Sequence, residues 1–295
     1  MMQVGVVFPQ LEIGADRIVI RDYAQAIEAL GYDHLVAAEH VLGADKTNRP
    51  GWRAYDIHDM FHEPFILFGY IAACTVRIGL GTCVLVLPQR QTALVAKQAA
   101  ELDVLSGGRI RLGIGVGWNA VEYKALGAEF QTRGARTAEQ IRVLRALWTE
   151  RNVTVRGRRH TIIEAGLNPL PIQRPIPIWV GGDSEAALRR AGTLGDGWMP
   201  GLGSYSPAVA SDDGRRKLVD RLRSIAKAAG RDPLSIGIEA RVSIASREPD
   251  DWRRAVNEWR GLGATHVSVM TYGAGLRDMN EHVTMARRFL DAVRG

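Results

Sequence analysis

The sequence predicts an α/β fold in which eight parallel strands close into a (β/α)8 barrel with insertions. Three observations lead there. Short β-branched runs alternate with longer stretches of helical period along the whole chain, the pattern of a parallel sheet with crossover helices. The strand–helix units come to eight, which lets the sheet close and leaves no exposed edge. The first strand runs into Phe8-Pro9-Gln10, where an open doubly wound sheet would place a glycine-rich phosphate turn. Residues 1–295 are read as one domain, because no short-period repeat or low-complexity tract divides them.

The first strand spans residues 4–8 and ends at Pro9. A helix follows to Leu30, with Asp16 placed to cap it and Gly31 to stop it. Strand two covers 34–38, and a long loop rich in Gly, Trp and charge fills 40–62. Pro64 opens the next helix, Pro64–Cys74, because proline suits the first helical position. Strand three is 77–87, ended by Pro88, and a helix over Thr92–Leu105 leads to the turn Ser106-Gly107-Gly108. Strand four is 110–116. Helical period resumes near Glu122 and again over 137–148. Residues 153–175 alternate and then turn proline-rich, which reads as an excursion from the barrel. Strand five, 178–180, precedes a helix over 184–194, and strand six is Gly197–Met199. A polar loop over 201–214 leads into a basic helix ending at Ala229. Strand seven is 236–244, a helix begins near Pro249, strand eight is His266–Met270, and the last helix covers 280–293.

Composition excludes several classes. The formal net charge is +6, but the bases are scattered. The densest groups, Arg156/Arg158/Arg159, Arg215/Arg216/Lys217 and Arg253/Arg254, form no long block and accompany no nucleic-acid motif. They read as solvated faces, with no nucleic-acid partner expected; a general attraction for anionic cofactors is compatible with them. Two cysteines, Cys74 and Cys83, argue against a disulfide-stapled secreted fold. The opening MMQVGVVFPQ has no basic region followed by a long apolar stretch, so a cytoplasmic protein without a membrane partner is expected.

In a barrel of this type the active site lies at the C-terminal strand ends. Gly181-Gly182-Asp183-Ser184 follows a strand and opens a helix. It suits a phosphate cradle, since free N–H groups at a helix start favour an anion, and equally an ordinary capped turn. Gly113, Gly115 and Gly117 alternate along strand four; they could leave a flat face for a planar ring, or serve close packing inside the barrel. Glu39-His40 closes strand two. The histidine can move a proton near neutral pH, with the carboxylate beside it orienting the ring, against the alternative of an inert loop histidine. Trp118 and Trp198 are strand-end aromatics that either wall a pocket or cap the core. His58, His62 and Glu63 lack the HExxH order and read as solvated or capping groups, so no metal is expected. No GxSxG elbow is present, and Cys83 lies in an apolar run where a buried inert thiol is the default.

Taken together, IGLGTCVLVLPQRQTALVAKQAAELDVLSGGRIRLGIGVGWNAVEYKALG (78–127), IPIWVGGDSEAALRRAGTLGDGWMP (176–200) and GYDHLVAAEHV (31–41) resemble the conserved blocks of the luciferase-like monooxygenase superfamily, a TIM-barrel family, and most of all its F420-dependent oxidoreductase branch. The resemblance implies a non-prolyl cis peptide at Cys83–Val84 against the cofactor ring. It places His40 beside that ring, Gly115, Val116 and Gly117 along the ring or tail, Trp198 at the cofactor, and Gly181, Gly182, Asp183 and Ser184 around its phosphate. Two departures stand out: Cys83 where many relatives have Ser, and Glu39 where the acid is often Asp. Some similar F420-dependent sugar-phosphate dehydrogenases carry a glutamate where Trp118 stands, so that substrate is not expected. The implied activity is hydride transfer between coenzyme F420 and a small organic substrate, with His40 and Glu39 as catalytic residues. The alternatives are an FMN-dependent monooxygenase and a flavin-binding barrel without turnover. A homodimer is expected from the family, and residues 41–62 and 201–214 are expected to be lids.

Overall fold

The computed structural model describes residues 2–52, 55–202, 206–245 and 247–294. Along the first half run β1 (Gln3–Val7), α1 (Arg17–Ala29), β2 (His34–Ala37), α2 (Pro64–Cys74), β3 (Gly79–Thr82), β4 (Leu85–Val86), α3 (Thr92–Leu105), β5 (Ile110–Gly115), α4 (Ala120–Ala125) and α5 (Arg133–Thr149). A hairpin of β6 (Val153–Arg156) and β7 (Thr161–Ala165) follows. The second half holds β8 (Ile178–Gly181), α6 (Glu185–Leu194), β9 (Gly197–Met199), α7 (Pro207–Ala210), α8 (Asp212–Ala228), β10 (Gly237–Ser243), α9 (Pro249–Gly261), β11 (His266–Met270) and α10 (Met279–Arg294).

The barrel closes in parallel. β1 pairs with β2 and β11, β2 with β3, β3 and β4 with β5, then β5 with β8, β8 with β9, β9 with β10 and β10 with β11. This is the predicted fold, with β3 and β4 together forming barrel strand three. That strand is not continuous over 77–87. It breaks at Cys83–Val84, whose peptide bond is cis, and its last residues form a 3-10 turn, Leu87–Gln89. The excursion at 153–175 contains the β6–β7 hairpin, outside the barrel sheet. The predicted loop 201–214 contains α7 and the start of α8; its residues 203–205 lie outside the described residues, as do 53 and 54 of the other expected lid.

Strand alternation sorts the side chains into two cores. Val4 and Val6 of β1 face the helices, together with Leu35, Leu112, Ile114, Val180, Trp198, Val267 and Val269. Val7 faces the barrel axis with Val36, Cys83, Trp179, Met199 and Met270. Helix α1 covers the outer core with Ile20, Tyr23, Ala24 and Ile27, one helical face by spacing, and Asp16 caps it by accepting from Ile18 N at 2.7 Å.

The N-terminal half of the barrel axis is filled by a polar plug. Glu239 accepts from Arg111 Nη2 at 2.6 Å and Ser268 Oγ at 2.6 Å, and meets His34 Nε2 at 2.9 Å. The Arg111 guanidinium stacks over Trp179 at 4.2 Å, whose ring meets His266 at 4.7 Å. Burial alone would push the Glu239 carboxyl up, but Arg111 and His34 hold it far below the usual range. Burial and the neighbouring Arg111 push His266 down to about 3. The plug closes one end of the barrel and leaves the other, where the strands terminate, to form a cavity.

Candidate active site

The cavity at the C-terminal strand ends has a volume of about 590 Å³, within the range of small-molecule and cofactor pockets. Residues from β2, the β3–β4 break, β5, β8, β9 and β10 converge on it, so the expected rim is assembled. Glu39, His40, Cys83, Val84, Gly115, Val116, Gly117, Gly181 and Gly182 all contribute to its wall. Asp183, Ser184 and Trp198 do not.

His40 sits at the mouth, its ring 11% exposed. Its Nδ1 lies 3.3 Å from Glu122 Oε2. Glu122 belongs to α4, which Asn119 starts by accepting from Val121 N and Glu122 N. The same carboxylate accepts from the backbone of Val41 and, at 3.2 Å, of Leu42. Burial pushes Glu122 up, but the hydrogen bonds from His40, Val41 and Leu42 outweigh it and hold the group below the ordinary carboxylate range. An ionised carboxylate can only accept, so His40 donates from Nδ1, which in the neutral ring leaves Nε2 as an acceptor.

Glu39 was expected to orient His40, and its carboxylate does something else. It accepts from Val86 N at 2.6 Å and from Arg90 Nε at 2.6 Å, and Arg90 also pairs with Glu63 at 2.9 Å. Glu39 therefore ties the end of β2 to the segment following the cis bond. Adjacent residues leaving a strand point to opposite sides, which is why the sequence neighbour of His40 is not its partner. Burial pushes Glu39 up, against the pull of Arg90 and Val86.

The glycines serve Val84. A Cβ on Gly115 would lie 2.5 Å from Val84 Cγ2, and one on Gly181 would lie 2.8 Å from Val84 Cγ1. The missing side chains seat the valine that follows the cis bond, and their backbones remain at the cavity wall. Of the two readings left open for the alternating glycines, close packing describes their side-chain positions.

Trp198 is a correction. It is fully buried in the outer core and its Nε1 donates to Gly182 O at 2.8 Å. Its neighbours Gly197 and Met199 take the inward positions, so the indole must face the helices. It braces the Gly181-Gly182 turn from behind and does not reach the cavity. Ser184 caps α6, accepting from Ala187 N at 3.2 Å, and stays exposed at the helix start. Asp183 accepts from Gly201 N at 2.8 Å, holding the loop after β9.

Three residues at the site were missed by sequence reading. Glu122 lies one helical turn beyond a strand end, and a search that included the first turn after β5 would have found it. Arg241 lies within β10 and lines the cavity; its signal was the charged pair Glu239 and Arg241, two apart in an otherwise apolar strand, which puts both on one face. Tyr55 comes from the long loop after β2. With Phe61 and Trp118 it surrounds the His40 ring at centroid distances of 5.4, 4.8 and 5.5 Å. Trp118 is 44% exposed, packs at a tilt against Trp52 at 5.1 Å and lines the cavity, so of the two strand-end tryptophans this is the one on the pocket wall. Among the described residues no cluster of His, Cys, Asp and Glu could hold a metal ion, and no helix is long and apolar enough to cross a membrane.

Residues 8–291 match the family model described as luciferase-like monooxygenase. The chain belongs to the luciferase-like monooxygenase family. It is an oxidoreductase of that family, and its relatives divide by cofactor. An F420-dependent glucose-6-phosphate dehydrogenase of Amycolatopsis mediterranei is 29% identical over 322 residues, covering 99% of this chain and 90% of the relative. An FMNH(2)-dependent dimethylsulfone monooxygenase of Pseudomonas putida is 33% identical over 202 residues, covering 67% of this chain and 53% of the relative. Among solved structures, the monooxygenase RslO1 from Streptomyces bottropensis superposes with a TM-score of 0.79 at 21% identity, over 99% of both chains, which shows the shared fold.

Proposed function

We propose that this chain is a coenzyme F420-dependent oxidoreductase that moves a hydride between the deazaflavin and a small, largely apolar organic substrate. The observation that carries the reading is the His40–Glu122 pair at the mouth of a cavity of cofactor size, beside a cis peptide at the position where the family holds its ring. A relative matched over nearly the whole of this chain, the Amycolatopsis dehydrogenase, is F420-dependent, which favours the deazaflavin over FMN.

The residues present suit such a group. Val84 and the Cys83–Val84 peptide offer an apolar seat, the Gly115 and Gly117 backbones allow close approach, and the exposed start of α6 at Ser184 offers free N–H groups to a phosphate. When bound, the deazaflavin supplies the hydride chemistry. The chain supplies the proton chemistry. With Nδ1–H held by Glu122, His40 Nε2 takes the hydroxyl proton when an alcohol is oxidised, and returns it to the oxygen when a carbonyl is reduced. Tyr55, Phe61 and Trp118 keep water from that nitrogen. Trp118 also gives the entrance an apolar face, which fits an uncharged substrate better than a sugar phosphate.

The test is a pair of binding titrations, with F420 and with FMN, followed by turnover with a panel of alcohols and carbonyl compounds. F420 binding in the micromolar range and F420-linked turnover are expected. FMN binding with oxygen-dependent turnover and no F420 binding would replace this reading by the monooxygenase one. Cofactor binding without turnover across the panel would make the chain a binding barrel.

A further inference from the structure

Arg241 is a partly buried cation in the cavity wall, with no carboxylate at hydrogen-bonding distance among the described residues. Its Nη1 lies 3.4 Å from Cys83 Sγ, and its Nη2 donates to the carbonyl of Pro200. Its Nε is buried and has no hydrogen-bond partner. The nearest inward carboxylate on its own strand, Glu239, is already matched by Arg111 at 2.6 Å. Burial disfavours its charge, and Cys83, Tyr272, Glu239 and Asp183 outweigh that and favour the cation, neither carboxylate being at hydrogen-bonding distance. Its accessible surface faces the cavity, one layer above the plug. A cation in a cavity wall that no carboxylate meets directly is placed to pair with an anionic group of a ligand. A guanidinium in that position is explained when the ligand brings the negative charge.

We infer that Arg241 is the counter-ion for the bound ring and makes this cavity prefer the more negative, reduced form of its cofactor over the oxidised form. The inference rests on the cofactor reading above and adds a residue to it. Reduction of a flavin-type ring adds electron density that a nearby protein cation can stabilise, and a low-polarity pocket strengthens that effect. By linkage, a group that binds the reduced form more tightly raises the reduction potential of the bound couple by the ratio of the two affinities. A merely structural Arg241, holding Pro200 and Cys83 in place, would alter both affinities alike and leave the ratio unmoved.

The experiment measures dissociation constants of oxidised and reduced cofactor under anaerobic conditions for the wild-type protein, Arg241→Lys and Arg241→Met. It uses whichever of F420 and FMN binds the wild type. The Met variant is expected to lose at least tenfold of the reduced-over-oxidised preference, which for a two-electron couple is about 30 mV. The Lys variant should keep most of it. A ratio unchanged within twofold in Arg241→Met overturns the inference and leaves the cofactor reading standing. If the Met variant does not fold, the wild-type protein still decides: a bound midpoint potential at or below that of the free cofactor overturns the proposal. Failure of the wild type to bind either cofactor removes the cofactor reading, and this inference with it.

Discussion

Replacing Arg111 by Met breaks the plug that forms the base of the cavity, and its effect can be worked from the contacts. Arg111 is the only cation hydrogen-bonded to Glu239 among the described residues, at 2.6 Å, and the Glu239 side chain is 0% exposed. Removing one partner of a buried ion pair costs about 3–5 kcal/mol, because the other charge is left uncompensated. The lost stacking on Trp179 at 4.2 Å adds about 0.5–1 kcal/mol. A chain of this length loses roughly 2–3 °C of Tm per kcal/mol, so Arg111→Met is expected to melt about 7–18 °C lower. The double variant Arg111→Met with Glu239→Leu should recover most of that loss. His34 Nε2 and Ser268 Oγ are already 3.0 Å apart and can satisfy each other once the carboxylate is gone. The pH dependence has a definite sign. Glu239 is held far below its ordinary range largely by Arg111, so without Arg111 it takes up a proton at higher pH and becomes neutral. The gap between variant and parent should therefore narrow as pH falls toward 4. Calorimetric melting at pH 7 and pH 4 reads all of this. A single variant within 2 °C of the parent at pH 7, or a double variant no better than the single, would refute the reasoning.

Three other outcomes are expected. His266 has a folded pKa of about 3 against an ordinary 6.5, so its stability contribution is fully present above pH 6.5 and is lost as pH falls toward 3. The slope is up to about 1.4 kcal/mol per pH unit. Urea midpoints between pH 7 and pH 5 should be flatter in His266→Phe than in the parent, and equal slopes would exclude this histidine as the source. Gly113→Ala places a methyl group onto the Thr82 carbonyl oxygen and 2.8 Å from Met199 Sδ, a clash with backbone that no rotamer relieves. Cofactor binding should be lost and stability should drop by about 3 kcal/mol. Gly69→Ala, with open space around its Cβ in α2, should instead be neutral or stabilising by about 0.4–1 kcal/mol; equal behaviour of the two would contradict the packing account. Finally, Glu122→Gln can keep an oxygen toward the Val41 and Leu42 N–H groups only by turning its NH2 to His40, which moves the imidazole proton to Nε2. Nitrogen-15 NMR should show the tautomer change, and kcat/KM should fall about 10²–10⁴-fold with cofactor affinity kept. An unchanged tautomer and rate would remove the pair from the mechanism.

Particular residues mark how far the sequence could be read. The loop glycines, Asp16 and Pro64 announced the helix boundaries because caps and stops are local chemistry, settled within four residues. Strand two and strand eight were legible from β-branched runs for the same reason. The break in strand three is not visible in the residue pattern, where CVLVL reads as an unbroken strand; the family resemblance pointed to the Cys83–Val84 bond, which is cis, and the pairing of β4 with β5 alone shows where the ladder shifts. Trp198 was misplaced because a strand-end position says which residues are near the rim, while the side a residue faces depends on register. Glu122 and Arg241 were missed because one lies beyond a strand end and the other before it.

By itself the sequence determined the order of strands and helices, the closed parallel barrel, the family, and the set of segments that meet at one rim. The family follows from the resemblance of three blocks of sequence; the rest follows from hydrophobic period, turn chemistry and the rule that parallel strands expose their C-terminal ends to ligands. Only the tertiary structure decided which carboxylate His40 meets. Glu39 is its neighbour in the chain and Glu122 its neighbour in space, 82 positions apart. It also decided that Arg241 faces the cavity while Glu239, two residues earlier, is matched in the plug. Hydrogen-bond and charge pairing act over a few ångströms in three dimensions, and no local pattern encodes which distant groups the closed barrel will bring within that reach.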